Sequence, residues 1–129
     1  MTLKLAAVSL LVDDYGEAIA WFTSKLDFVL IADTPLDGGK RWVVVAPSLH
    51  GGARLVVAQA EGPAQLAMVG RQAGDRVWLF LETDDFARDH AAFIARGVEF
   101  LETPRREAYG TVAVFRDLCG NKWDLLEPA

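Results

Sequence analysis

The chain has 129 residues, 52% of them hydrophobic and 24% charged, with a formal net charge of −5 at neutral pH. That length makes one compact domain, or two modules of roughly 60 residues that need each other, because a lone unit so small buries too little apolar surface. The acidic balance argues against nucleic acid or an anionic membrane as the main partner. A single cysteine, Cys119, excludes an internal disulfide and fits a reducing compartment. With no leader-like segment and no apolar run near the length of a membrane span, a cytoplasmic protein is expected.

Leu5 to Val12 is nearly all apolar and reads as a buried strand, and Asp14 with Glu17 is spaced as a capping box for a following helix. In that helix Tyr15, Ala18, Ile19, Phe22 and Leu26 share one face. Phe28 to Ala32 is expected as a second strand and Pro35 to Gly39 as a turn. Arg41 to Ala46 and Arg54 to Ala58 then make a hairpin around Gly51-Gly52. Pro63, Leu66, Met68 and Val69 predict a short helix in the connection.

Val77 to Leu81 opens the next strand, Asp85 to Arg96 a helix capped by Gly97, and Val98 to Leu101, Thr111 to Phe115 and Lys122 to Leu126 three more strands. Alternation places Trp42 and Trp123 against helices. The order repeats. An apolar strand ends in an acidic pair at Val12-Asp13-Asp14-Tyr15 and again at Thr83-Asp84-Asp85-Phe86, 71 positions apart. Each copy closes on a glycine turn, Gly51-Gly52 or Gly120-Asn121, and the second ends Phe115-Arg116-Asp117 through Lys122-Trp123-Asp124.

A duplicated β-α-β-β-β plan with this closing turn resembles the vicinal oxygen chelate superfamily, which includes glyoxalase I, extradiol dioxygenases and the bleomycin- and fosfomycin-resistance proteins. The resemblance implies an α+β domain over residues 1–129, in which two tandem βαβββ modules form a curled mixed sheet of half-barrels. The modules cover about 3–60 and 76–129, with 61–75 joining them.

Metal-using members of the superfamily carry a His in each module's first strand and a Glu in its last. Those positions are here Ala7 and Trp78, then Leu55 or Val56, and Asp124. A catalytic divalent site needs about three protein ligands in fixed geometry, and only Asp124 among these binds a cation. No metal and no cofactor is therefore expected. His90 lies on the helix stripe matching Ile19 and reads as a core-edge histidine, His50 as a loop residue and Cys119 as a turn residue.

Alternation puts Arg76, Trp78, Phe80 and Glu82 on one face, Ser9 with Ala7 and Leu11 on another, and Asp124 with Lys122 and Leu126 on a third. In a curled half-barrel Trp78, Phe80, Glu82 and Asp124 line a hollow. Trp78 then offers a stacking surface, Glu82 and Asp124 accept a polar or cationic group, and Arg54 or Arg76 holds an anion. Tyr109 is a pocket lid or a turn aromatic.

The reading this supports is a metal-independent small-molecule-binding protein, a homodimer with no nucleic-acid or membrane partner. One alternative is a glyoxalase- or dioxygenase-like enzyme using unconventional metal ligands or a carboxylate base, Glu82 or Asp124. Another is a structural or regulatory subunit with a filled hollow.

Overall fold

A computed structural model describes residues 2–129 and divides the chain into two compact units, the first ending at Val69 and the second running Gly70–Ala129. The first unit holds β1 (Ala7–Val12), α1 (Tyr15–Lys25), β2 (Val29–Pro35), β3 (Arg41–Ala46), β4 (Arg54–Gln59) and the short α2 (Gly62–Leu66). The second holds β5 (Val77–Glu82), α3 (Phe86–Ala95), β6 (Arg105–Glu107), β7 (Gly110–Arg116) and β8 (Lys122–Pro128).

The strand orders are β1-β4-β3-β2 and β5-β8-β7-β6. In each sheet the first strand runs parallel to the last, and the other neighbours are antiparallel. Both sheets are mixed, curled and not closed into a barrel. This is the α+β architecture of paired βαβββ modules.

The acidic pairs that mark the repeat start the helices. Asp14 accepts a hydrogen bond from the Glu17 amide at 2.8 Å, and Asp85 accepts one from the Arg88 amide at 3.1 Å. The second aspartate of each pair is thus an N-cap, satisfying an amide that the first turn cannot. At the far end of α3, the Gly97 amide donates to the Ile94 carbonyl and the Val98 amide to the Phe93 carbonyl. That paired bonding needs a left-handed residue, and Gly97 has φ +88°.

One face of each sheet is sealed by its helix. Leu10, Val12, Val43, Val45, Leu55 and Val57 are buried with Tyr15, Ala18 and Phe22 of α1. In the second unit Ala113, Phe115, Trp123 and Leu125 are buried with Phe86 and Phe93 of α3. Trp123 packs on the helix side as expected, stacked on Phe115 at 5.8 Å between ring centroids. Trp42 does not. It alternates with the fully buried Val43, points away from α1 and is 47% exposed.

The strand expected at Val98 to Leu101 is absent. Phe100 makes an isolated bridge to Phe115, and the regular strand forms later, at β6. Two residues break the ladder. Glu102 places its own carboxylate on the Val114 amide at 3.0 Å, taking the bond a strand carbonyl would make. Pro104 has no N–H to donate.

Candidate functional site

The closing turn of the second unit is organised by one buried carboxylate. Asp117 Oδ1 accepts the amides of Cys119, Gly120 and Asn121, each at 3.0 Å. Its Oδ2 accepts Asn121 Nδ2 and the Trp123 indole Nε1, also at 3.0 Å. Burial pushes the Asp117 carboxyl above its ordinary range, and the bonds from Asn121 and Trp123 oppose that rise. Gln72 docks on the same turn, its amide donating to Asn121 Oδ1 at 3.0 Å. This hub fixes where β8 begins, and therefore where Asp124 points.

Opposite α3 the second sheet presents an open face built in rungs. Phe80, Asp124 and Val114 form one rung across β5, β8 and β7. Glu82, Leu126, Val112 and Arg105 form the next. Asp124 is only 8% exposed, and its Oδ1 has no hydrogen-bond partner among the described residues. Burial pushes its carboxyl above the usual carboxylate range; the Arg105 charge pulls the other way and Glu102 adds to the rise. Beside it, Phe80 is 66% exposed, an apolar ring turned to solvent.

Trp78 departs from the expected face. The β5–β8 register slips between Val77, opposite Lys122, and Leu79, opposite Trp123. Trp78 is the extra residue of that bulge, so strict alternation fails at it. Its ring meets Trp123 edge-on at 5.8 Å, joining the cluster on the helix side rather than the Phe80 rung. Glu82 stays on the open face, exposed at the end of β5. Arg76 is exposed just before β5, and Tyr109 is exposed at the tip of the β6–β7 hairpin.

In the first unit the matching rung is Ser9, Val56, Val44 and Ala32. The register resolves the ambiguity at the last strand: Val56 is opposite Ser9 as Asp124 is opposite Phe80, while Leu55 is buried toward α1. Arg54 pairs with Ala7 and is exposed. The superfamily's four metal-ligand positions are thus Ala7, Val56, Trp78 and Asp124. Among the described residues no three His, Cys, Asp or Glu side chains converge to hold a metal ion. One carboxylate with two apolar residues and an indole is not a donor set for a divalent cation, and the residues present do not fit that metal.

The sequence reading missed a second feature of this unit. On the helix-bearing side a depression of about 420 Å³ is lined by Phe86, His90, Pro104, Arg106, Thr111 and Glu127, among others. Glu127 is tied there to the Phe86 amide at 2.7 Å, and the His90 ring is stacked on Phe86 and edge-on to Phe100. The only sequence signal was that Thr111 and Glu127 alternate onto the helix side.

The model of the Glyoxalase/Bleomycin resistance protein/Dioxygenase superfamily matches residues 4–125. The chain belongs to that superfamily. It is 48% identical over 128 residues to an uncharacterized protein of Shewanella frigidimarina (strain NCIMB 400), covering 98% of this chain and 95% of that one. The crystal structure of UcmS2 is similar at 27% identity and a TM-score of 0.83, with 98% of both chains covered. That of TnmS3, an antibiotic binding protein from Streptomyces sp. CB03234, is similar at 29% identity and a TM-score of 0.79, covering 99% of this chain and 98% of the other.

Proposed function

We propose that this superfamily member binds a small organic molecule on the open face of the second sheet and does so without a metal. The observation that carries the reading is the Phe80–Asp124 rung. Where superfamily enzymes hold metal ligands, this chain sets a buried carboxylate beside a ring exposed to solvent. Phe80 offers a stacking surface, Glu82 stands exposed one rung away, and Arg76 and Tyr109, exposed before β5 and at the β6–β7 tip, are further candidates to meet a ligand's edges. Ser9 and Arg54 are the corresponding polar positions of the first unit. Similarity to an antibiotic binding protein supports the same class of partner.

A second reading is favoured by Asp124 itself. A carboxyl raised by burial is suited to act as a general base, so a metal-free catalyst using Asp124, with Glu82 as the alternative base, is the rival.

The test combines native mass spectrometry of the purified protein, metal analysis, and tryptophan fluorescence with a panel of aromatic antibiotics that includes bleomycin. A co-purified or saturably quenching small molecule recovered unchanged supports binding. About one transition metal per chain, or no ligand from either source, overturns the reading, and a converted molecule favours the base. We further take the protein to be cytoplasmic, as its single cysteine suits a reducing compartment, and a homodimer, since Trp42 leaves an apolar ring uncovered on the open face of the first sheet. A sedimentation mass near the 14.1 kDa of one chain would refute the dimer.

A further inference from the structure

We propose that the ligand of the open face is an organic cation, a protonated amine or amidine carried on a flat ring, and that Asp124 is the residue that selects it. The inference rests on the binding reading above and names the chemistry of the partner.

A buried acceptor left without a hydrogen bond is costly, and folded proteins keep few of them. Asp124 Oδ1 is such an acceptor, and it belongs to a side chain that ionises. Arg76 is exposed just before β5, and the three cationic residues that β6, β7 and β8 set on or beside the same face each have a partner of their own. Arg105 bonds Glu102 at 2.8 Å and Glu107 at 2.7 Å. Arg116 pairs with Glu99 at 3.0 Å, and Lys122 Nζ donates to the Asp75 carbonyl at 2.9 Å. These bonds leave Asp124 Oδ1 without a donor of its own, although the Arg105 charge still acts on it across space.

A hydroxyl donor would fill the vacant bond but leave the carboxylate charge uncompensated. A cation supplies both the donor and the charge, and charge-assisted bonds are about twice as strong as neutral ones. The neighbouring rung residue agrees: Phe80 turns an exposed ring to the same side, and a ring face attracts cations as well as flat apolar groups. Glu82, exposed one rung away, adds a second negative group. An anionic ligand would meet both carboxylates.

Three probes of one shape and three charges test this: 2-naphthylmethylamine, 2-naphthalenemethanol and 2-naphthoic acid, titrated at pH 7 by proton–nitrogen correlation NMR. The amine should bind roughly tenfold or more tightly than the alcohol, with the acid weakest. Shifts should centre on the Phe80 and Asp124 amides. In Asp124→Asn, which keeps the shape and removes the charge, the amine-to-alcohol preference should fall to about twofold or less, while Phe80→Ala should weaken both.

Equal binding of amine and alcohol by the parent overturns the cation assignment and leaves the binding face standing. So does a preference that survives in Asp124→Asn. Should none of the three probes shift Phe80 or Asp124, the binding face falls and the cation assignment with it. The ranking of probes on the parent protein decides the matter even where the variant does not fold.

Discussion

Asp117 and Trp123 are joined by a 3.0 Å hydrogen bond from the indole Nε1 to the carboxylate, and that bond ties a turn to the core beneath it. The same side chain that gathers three turn amides also fixes the ring stacked on Phe115. Asp117→Ala leaves several buried donors without an acceptor and should cost about 3–5 kcal/mol. Asp117→Asn should cost less, because its amide oxygen keeps some of those bonds. Urea unfolding followed by near-ultraviolet circular dichroism measures both, and a loss below about 1 kcal/mol for Asp117→Ala would contradict the hub.

The aromatic pair on β5 separates packing from exposure. Trp78 leans on Trp123 in the helix-side cluster, so Trp78→Ala should destabilise the fold by about 3 kcal/mol or more. Phe80→Ala removes a ring that is already wet, should change stability by less than about 1 kcal/mol, and should weaken an aromatic ligand by about 1–3 kcal/mol. Thermal melts of the two variants, set beside their ligand titrations, check the split; reversed effects would return Trp78 to the open face.

Asp124 gives a signed pH dependence. Its folded carboxyl titrates above the unfolded one, so the native state holds more protons and loses stability as pH rises from the ordinary aspartate range to the raised value. Above that the deficit is constant. Asp124→Asn removes it and should be more stable than the parent by about 1–3 kcal/mol at neutral pH, with the difference vanishing in acid. Asp89 behaves oppositely: its bond to Arg88 lowers its carboxyl, and the stability it adds is lost as pH falls. Unfolding free energies of parent and Asp124→Asn between pH 3 and 8 measure the difference, and a parent more stable at pH 7 would refute it.

Two glycines with positive φ should respond differently to alanine. At Gly70 a Cβ would sit 2.1 Å from the Cys119 carbonyl oxygen, backbone that cannot move aside, whereas at Gly120 nothing lies within 4 Å. Gly120→Ala should cost only the left-handed strain, about 1–2 kcal/mol, and Gly70→Ala clearly more. Equal melting points for the two variants would show that the segment carrying Gly70 is not pinned to the turn.

The repeat, the helices and seven of the eight strands were legible because their signals are local: apolar alternation, an aspartate before each helix, glycine at each turn. What was not legible depends on side chains that replace backbone. Glu102 occupying the Val114 amide moved a strand from 98–101 to 105–107, and no propensity encodes that exchange. The bulge at Trp78 defeated a period-two count that placed Phe80, Glu82 and Asp124 correctly on one face. The aspartate of the closing motif stood in plain view at Asp117, but its five donors are distributed over residues whose convergence only the folded turn creates.

The two glycine turns, alike in sequence position, are not alike in construction. Register places Val45 where Phe115 stands and Leu55 where Trp123 stands, so Pro47 occupies the place of Asp117. The β3–β4 turn therefore has no carboxylate at its centre; residues 48–53 are exposed, and Gly51 and Gly52 have open space around them. A protein engineer wanting to graft a peptide tag, a fluorophore or new chain termini has an address here. The insertion point is the first turn, where lengthening the connection disturbs no buried bond among the described residues.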